Sequence, residues 1–317
     1  MKRNRVSILL CISLVLVTAG CGVQTSNEAS VQSSVAANTE GTISETPVEE
    51  SAQPLAETLW SVVQEQTYDF PVNFSAYNTP DFGLTVGYGG EIHCSTDGGE
   101  NWPESTNDSA CLFSLDFVDE NIMYSCGNQG KVTKSTDGGK SFSVVGVFTE
   151  ASPCQCVDIS FIDENNGIIA AKERMGITSD GGVTWTEVQQ SNLIAGILMA
   201  SPQEFYYIGS DYCLYKTMDS GSTWEKTPLN LPLEKDYNTS VQNLAICKDG
   251  ENSFTLYCTQ KSTKLLKSYS TTDNCVTWTE NAMPEVEGPA LLYLNKEGNV
   301  LSYFNVSKSW IKVLTKQ

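Results

Sequence analysis

The chain has 317 residues, with 19 Lys or Arg against 38 Asp or Glu and a formal net charge of −19. That balance excludes nucleic acid and anionic lipid headgroups as partners, because both need a cationic surface. With His93 as the one histidine, no serine-histidine-acid triad is arguable, and a histidine-rich metal site lacks its ligands.

Reading from the N-terminus, Lys2, Arg3 and Arg5 precede an apolar run from Val6 to Val17, and Thr18-Ala19-Gly20 leads to Cys21. A basic head, a short apolar core and small residues before a cut are what an export signal requires. The run is too short to stay in a bilayer as a permanent helix. Residues 1–20 therefore read as a cleaved signal. Small residues ending at a cysteine resemble the bacterial lipobox, with Thr18 where Leu is commoner. The resemblance implies acylation of Cys21, a lipid-anchored protein at the cell membrane, and exposure on the extracytoplasmic side; an ordinary signal with a bystander cysteine is the alternative.

Residues 21–57 are Ser, Thr, Ala, Glu, Gln and Val with almost no large apolar side chain. Such a segment cannot bury enough surface to offset its ordering entropy, so it is expected to act as a solvated tether. Removing residues 1–20 takes away three basic groups and brings the mature net charge to about −22. Nine cysteines then remain besides Cys21, an odd number, so one is expected to be unpaired or to pair with another chain. Cys126 and Cys258 fall where sister repeats carry Val86, Ile169 and Ile208, and read as buried thiols acting as small hydrophobes.

From residue 58 onward one pattern recurs five times: Ser95-Thr96-Asp97-Gly98-Gly99-Glu100-Asn101-Trp102, then the segments around Asp137-Gly138-Gly139 and Phe142, Asp180-Gly181-Gly182 and Trp185, Asp219-Ser220-Gly221 and Trp224, and Asp273-Asn274-Cys275 and Trp278. Asp accepts hydrogen bonds from the backbone just ahead of it, and glycine supplies a positive φ, so each segment is a pinned turn. The aromatic that follows starts a strand and packs inward. The fifth copy has Cys275 at the second glycine position and is expected to be strained or altered. Around each turn lie short alternating runs, such as Leu112 to Phe117, Ile122 to Cys126 and Lys131 to Lys134. These read as antiparallel strands. A period near 40 filled by strands A, B and C, a pinned turn and strand D indicates propeller blades.

The fold class is therefore all-β: a single β-propeller over residues 58–317, six blades of four antiparallel strands, with seven as the alternative. Trp60 lies one repeat length before Trp102 with no pinned turn ahead of it, while the C-terminal segments 290–294, 299–304 and 310–314 fall one strand short of a blade. The N-terminal strand is expected to supply the missing outer strand and close the ring. A second accounting takes Tyr303, Asn305, Ser307 and Trp310 as a decayed turn, with Trp310 opening a D strand.

The five Ser/Thr-x-Asp-x-Gly-x-x-Trp/Phe segments resemble the Asp-box, or bacterial neuraminidase, repeat superfamily. Phe117-Val118-Asp119-Glu120-Asn121 and Gly87-Tyr88-Gly89-Gly90 are most similar to photosystem II assembly/stability factor-like propellers. The resemblance implies a propeller and a loose binding or assembly role for a protein or glycan partner. It does not imply sialidase chemistry, which uses three arginines, since Arg174 is the only arginine beyond the signal. The alternative function is a glycan hydrolase with paired carboxylates. No catalytic residue, metal ligand or cofactor is assigned, and a monomer is expected. The binding face is expected among the B–C and D–A connections, at Tyr88, Asn128, Gln129, Arg174, Asp211, Tyr212 and Tyr237.

Overall fold

In the computed structural model the described residues are 59–107, 111–149, 156, 158–171, 174–188, 192–231, 243–288 and 290–317. Cys21, the tether, Cys154 and Tyr237 lie outside them.

The first strand, β1 (Trp60–Thr67), joins the last blade. Blade 1 follows as β2 (Phe74–Tyr77), β3 (Gly83–Val86), β4 (Ile92–Ser95) and β5 (Glu104–Asn107). Blade 2 is β6 (Leu112–Phe117), β7 (Met123–Gly127), β8 (Lys131–Ser135) and β9 (Ser141–Val147). Blade 3 is β10 (Asp158–Phe161), β11 (Gly167–Ala171), β12 (Arg174–Thr178) and β13 (Thr186–Val188). Blade 4 is β14 (Ile194–Met199), β15 (Phe205–Gly209), β16 (Cys213–Thr217) and β17 (Glu225–Pro228). Blade 5 is β18 (Leu244–Lys248), β19 (Phe254–Thr259), β20 (Leu266–Thr271) and β21 (Thr279–Asn281), and β22 (Leu291–Leu294), β23 (Val300–Asn305) and β24 (Trp310–Lys316) begin blade 6.

Blades 3 to 5 are separate sheets with neighbours in sequence order, whereas blade 6 runs β1-β24-β23-β22. The N-terminal strand is thus its outermost strand, pairing antiparallel from Trp60↔Lys316 to Thr67↔Trp310 with a bulge between Val62 and Gln64. The ring has six blades, not seven. Trp310 opens a C strand rather than a D strand, because Asn305 caps a short 3-10 turn (Val306–Lys308) that connects strand B to strand C. Blades 1 and 2 share one eight-stranded sheet because their outer strands pair in parallel, Thr106↔Ser141 and Asn107↔Phe142.

Inner and middle strands are largely buried, and the outer strands are mostly exposed or half-buried. This is the pattern of sheets stacked face to face, with polar edges outermost. The apolar side chains collect between blades: Tyr124, Cys126 and Val132 of blade 2 pack against Ile159, Phe161 and Ile169 of blade 3, and Leu214 of blade 4 against Leu256, Cys258 and Cys275 of blade 5. Cys126 and Cys258 are fully buried within these layers.

Candidate functional site

The five repeated turns have one hydrogen-bonding scheme. In blade 3 the Thr178 hydroxyl donates to Asp180 Oδ1 (2.8 Å) and accepts from the Gly182 N–H (3.0 Å), while Asp180 accepts from the Thr184 N–H (2.9 Å) and hydroxyl (2.6 Å). Matching bonds surround Asp97, Asp137, Asp219 and Asp273. Gly99, Gly139, Gly182 and Gly221 have φ between 81° and 84°. Cys275 adopts φ 68° at the same place and keeps the bond from its N–H to the Thr271 hydroxyl (3.2 Å), so the fifth turn retains its shape without the glycine. Hydrogen bonds from Asn101, and from Thr277 in the fifth turn, hold the pKa of Asp97 and Asp273 at about 2.

Each turn is also tied to its own blade's A–B turn. The N–H after the aspartate donates to a carbonyl there: Gly98 to Asp81, Gly138 to Asn121, Gly181 to Asn165, Ser220 to Gln203 and Asn274 to Asn252, at 2.9–3.1 Å. The A–B and C–D turns therefore share one end of the ring. The aromatic after each turn then packs into the blade: Trp185 meets Phe148 and Phe161, Trp224 meets Phe205 and Tyr207, Trp102 meets Tyr68 and Tyr77, Trp278 joins the blade 4–5 layer, and Phe142 is buried.

The described residues expected to form a binding face lie at the opposite end, one or two on each of blades 1 to 4. Tyr88 is 58% exposed and meets Phe113 edge-on. Asn128 and Gln129 form the β7–β8 turn. Arg174 pairs with Glu187 at 3.5 Å. Asp211 is committed within blade 4, accepting from Asn192 (3.1 Å), Tyr215 (2.7 Å) and Lys226 (2.8 Å). Tyr212 accepts from Lys261 at 3.3 Å. His93 is a strand residue stacked on Phe70.

The concavity lies instead on the ring axis. A groove of about 300 Å³ is lined by the inner strands of blades 2 to 6 and reaches the aspartate-turn end, where Ile162, Asn295 and Lys296 lie just beyond strand ends. Its lining offers polar and apolar surface in about equal measure, and two acidic residues, Asp116 and Asp158, are part of it. In the A–B register, Asp116 of blade 2 has Ser160, Leu198 and Cys247 as counterparts in blades 3 to 5. Asp158 of blade 3 corresponds to Ser114, Gly196 and Ala245.

Both carboxylates bridge neighbouring blades. Asp116 accepts the Phe161 N–H at 2.7 Å and the Tyr293 hydroxyl at 3.1 Å. Asp158 accepts from the Ser114 hydroxyl (3.3 Å) and its neighbour's N–H at Ile159 (3.0 Å), and it also bonds the Ile197 backbone of blade 4. Each thus satisfies a backbone donor on the inner edge of the next blade, which has no further strand to pair with. Burial raises Asp116, and burial with the adjacent Asp116 charge pushes Asp158 up to about 7. The sequence signal for each of these two is a lone acid within an otherwise apolar inner strand; only the radial assembly shows that both face one groove. Among the described residues no group of three or more His, Cys, Asp or Glu could hold a metal, and no helix is long and apolar enough to cross a membrane.

No protein-family model matches the chain, and no curated protein matches it. Its fold is similar to those of solved propellers. YCF48 bound to D1 peptide superposes with a TM-score of 0.54 at 15% identity, covering 83% of this chain and 99% of that one. The WD40 propeller domain of Doa1 gives 0.54 at 11% identity, over 82% and 98% of the two chains. The propeller domain of Cps50 (Swd1) from Myceliophteria thermophila gives 0.51 at 10% identity, over 81% and 100%. At these identities the likeness is one of fold: this chain is a six-bladed β-propeller.

Proposed function

We propose that the chain is an extracytoplasmic protein-binding or assembly module, held at a membrane by a lipid on Cys21 and a tether over residues 21–57. The observation that carries the binding role is the axial groove, a preformed concavity of mixed polar and apolar lining at the centre of the ring. Its two acids are engaged in blade-to-blade hydrogen bonds, which suits a structural and recognition role better than proton transfer. A propeller of the same fold, YCF48, is described bound to D1 peptide, which supports a peptide or protein as the kind of partner; that partner itself is not carried over. The repeated aspartate turns support placement among Asp-box propellers, and the Lys2–Cys21 leader supports export and acylation.

The test is crosslinking of the intact protein in its own envelope, with partners identified by mass spectrometry, beside a Cys21→Ser variant. A specific protein crosslink and loss of membrane retention in the variant are expected. Equal membrane retention of the variant rejects the anchor. A glycan-hydrolase reading rests on the Asp116–Asp158 pair; glycan turnover that disappears in Asp158→Asn would replace the binding role.

A further inference from the structure

We propose that the aspartate-turn end of the axial groove is the docking surface, and that its occupant is a basic peptide segment of a partner protein: a lysine or arginine flanked by aliphatic residues. The inference rests on the protein-binding reading above and reverses the end of the ring that the loop sequences suggest.

Shape and polarity come first. The groove presents Ile197, Leu198, Ile246 and Leu292 along its walls and carboxylates at Asp116 and Asp158. An aliphatic stem carrying a cationic head matches both surfaces at once, since Lys and Arg bury their methylenes while the charge seeks an oxygen partner. A cationic head would add a charge partner to carboxylates that otherwise hold only hydrogen bonds from within the ring.

Charge complementarity adds a second argument. The same end of the ring carries the aspartates of all five repeated turns, each ionised at neutral pH, four of them exposed and Asp273 half-buried. Lys296 lines the groove beside Asp116 and acts on its charge, with its ammonium 3.5 Å from the Val118 carbonyl, which leaves Asp158 as the acid that faces an incoming cation. An acidic rim speeds encounter with a basic segment and repels anionic membrane surfaces. Exposed apolar side chains stand on this end in three consecutive blades: Val183 (58%), Met218 (58%) and Val276 (64%). The corresponding loops of blades 1 and 2 have Thr96 with Glu100 and Thr136 with Lys140.

The experiment titrates the full chain with two synthetic nonapeptides, one with a central lysine between leucines and serines elsewhere, the other with norleucine in place of the lysine. Norleucine removes the ammonium and keeps the stem. At pH 8 the lysine peptide is expected to bind at least tenfold tighter, and Asp158→Asn to abolish that preference. An asparagine oxygen still accepts the backbone bonds, so this variant should fold; Asp158→Glu, which keeps the charge, should retain the preference. Tyr88→Ala and Tyr212→Ala, at the other end, should change nothing. Equal binding of the two peptides, indifference to Asp158→Asn, or n-butylammonium binding as tightly as the lysine peptide would overturn the proposal. Failure here with a protein crosslink in the envelope rejects only this occupant. Peptide binding without any protein crosslink rejects the assembly role instead.

Discussion

The Gln317 backbone N–H donates to the Leu59 carbonyl at 2.8 Å, so the first and last described residues meet. The register places Thr315 of blade 6 level with Ser95 and Thr271, the first residues of two repeated turns. Gln317 therefore stands where those turns have their aspartate, and β1 starts on the other side of the gap. In blade 6 the place of the C–D turn is taken by the contact between the residues that flank β1 and β24. Ring closure then depends on strand pairing from Trp60 to Thr67 and on Trp60, buried against Tyr257 at 5.6 Å. Trp60→Ala should cost about 3–5 kcal/mol, the range for large aromatic truncations. The check is chemical denaturation followed by tryptophan fluorescence and by circular dichroism, with the blade 5–6 region losing protection first in hydrogen exchange.

The repeated turns give a graded series. Asp180→Ala removes acceptors for the Thr184 N–H and hydroxyl and for the Thr178 hydroxyl, at an expected cost of about 1–2 kcal/mol. Asp180→Asn keeps one acceptor oxygen and should cost less. Gly221→Ala should exceed both, because a Cβ there would lie 2.6 Å from Val188 and φ is +84°. A non-glycine residue in that region costs about 1–2 kcal/mol before any clash. Cys275→Gly should stay within about 1 kcal/mol of the parent, since relief of φ offsets the lost burial of the thiol. Thermal unfolding of the set ranks them.

These turns are legible in the amino-acid sequence because their chemistry is local: Asp, hydroxyl, glycine and aromatic sit within eight residues and bond each other. The outer-strand exchange is legible because Trp60 precedes the first repeat by one period while the C-terminus falls a strand short. The groove is not legible. Asp116 and Asp158 are 42 positions apart on different blades, and their joint exposure to the axis depends on sheet register and radial packing. Tyr88, Arg174 and Tyr212 have the marks of site residues because they carry recognition chemistry at strand connections, and each also has a contact within the ring.

The axial acids and the turn acids should give opposite pH dependences. Burial first, and then the Asp116 charge, raises Asp158 to about 7, so the folded state binds its proton more tightly than the unfolded chain. Its contribution is complete below about pH 4, the ordinary aspartate value, and is lost as pH rises through 7. Asp97 and Asp273 are lowered to about 2 by their hydrogen bonds, so their contribution is present above about pH 4 and lost as pH falls toward 2. Stability should therefore peak in mildly acid solution. Asp158→Asn should flatten the decline between pH 5 and 8 and leave the acid limb unchanged. Denaturant midpoints measured from pH 2 to 9 decide this; an unchanged neutral limb would assign the decline to other groups.

Thiol accessibility supplies a last check on the inter-blade layers. Cys94, Cys111, Cys126, Cys247, Cys258 and Cys275 are free thiols, so their reactivity is set by burial and by how readily the thiolate forms. Cys126 and Cys258 are fully buried between blades, and burial pushes the Cys258 thiol up to about 12. Cys111 and Cys247 are only partly covered, the latter lining the axial groove, although burial holds Cys247 at about 11. Mass-spectrometric mapping of iodoacetamide labelling on the native protein should find Cys111 modified first, Cys247 slowly, and Cys126 and Cys258 only after unfolding. Occupation of the groove by a basic peptide should slow Cys247 further and leave Cys111 unaffected. Modification of Cys126 at the rate of Cys111 would mean that blades 2 and 3 separate in solution, and the rigid ring on which the groove depends would not hold.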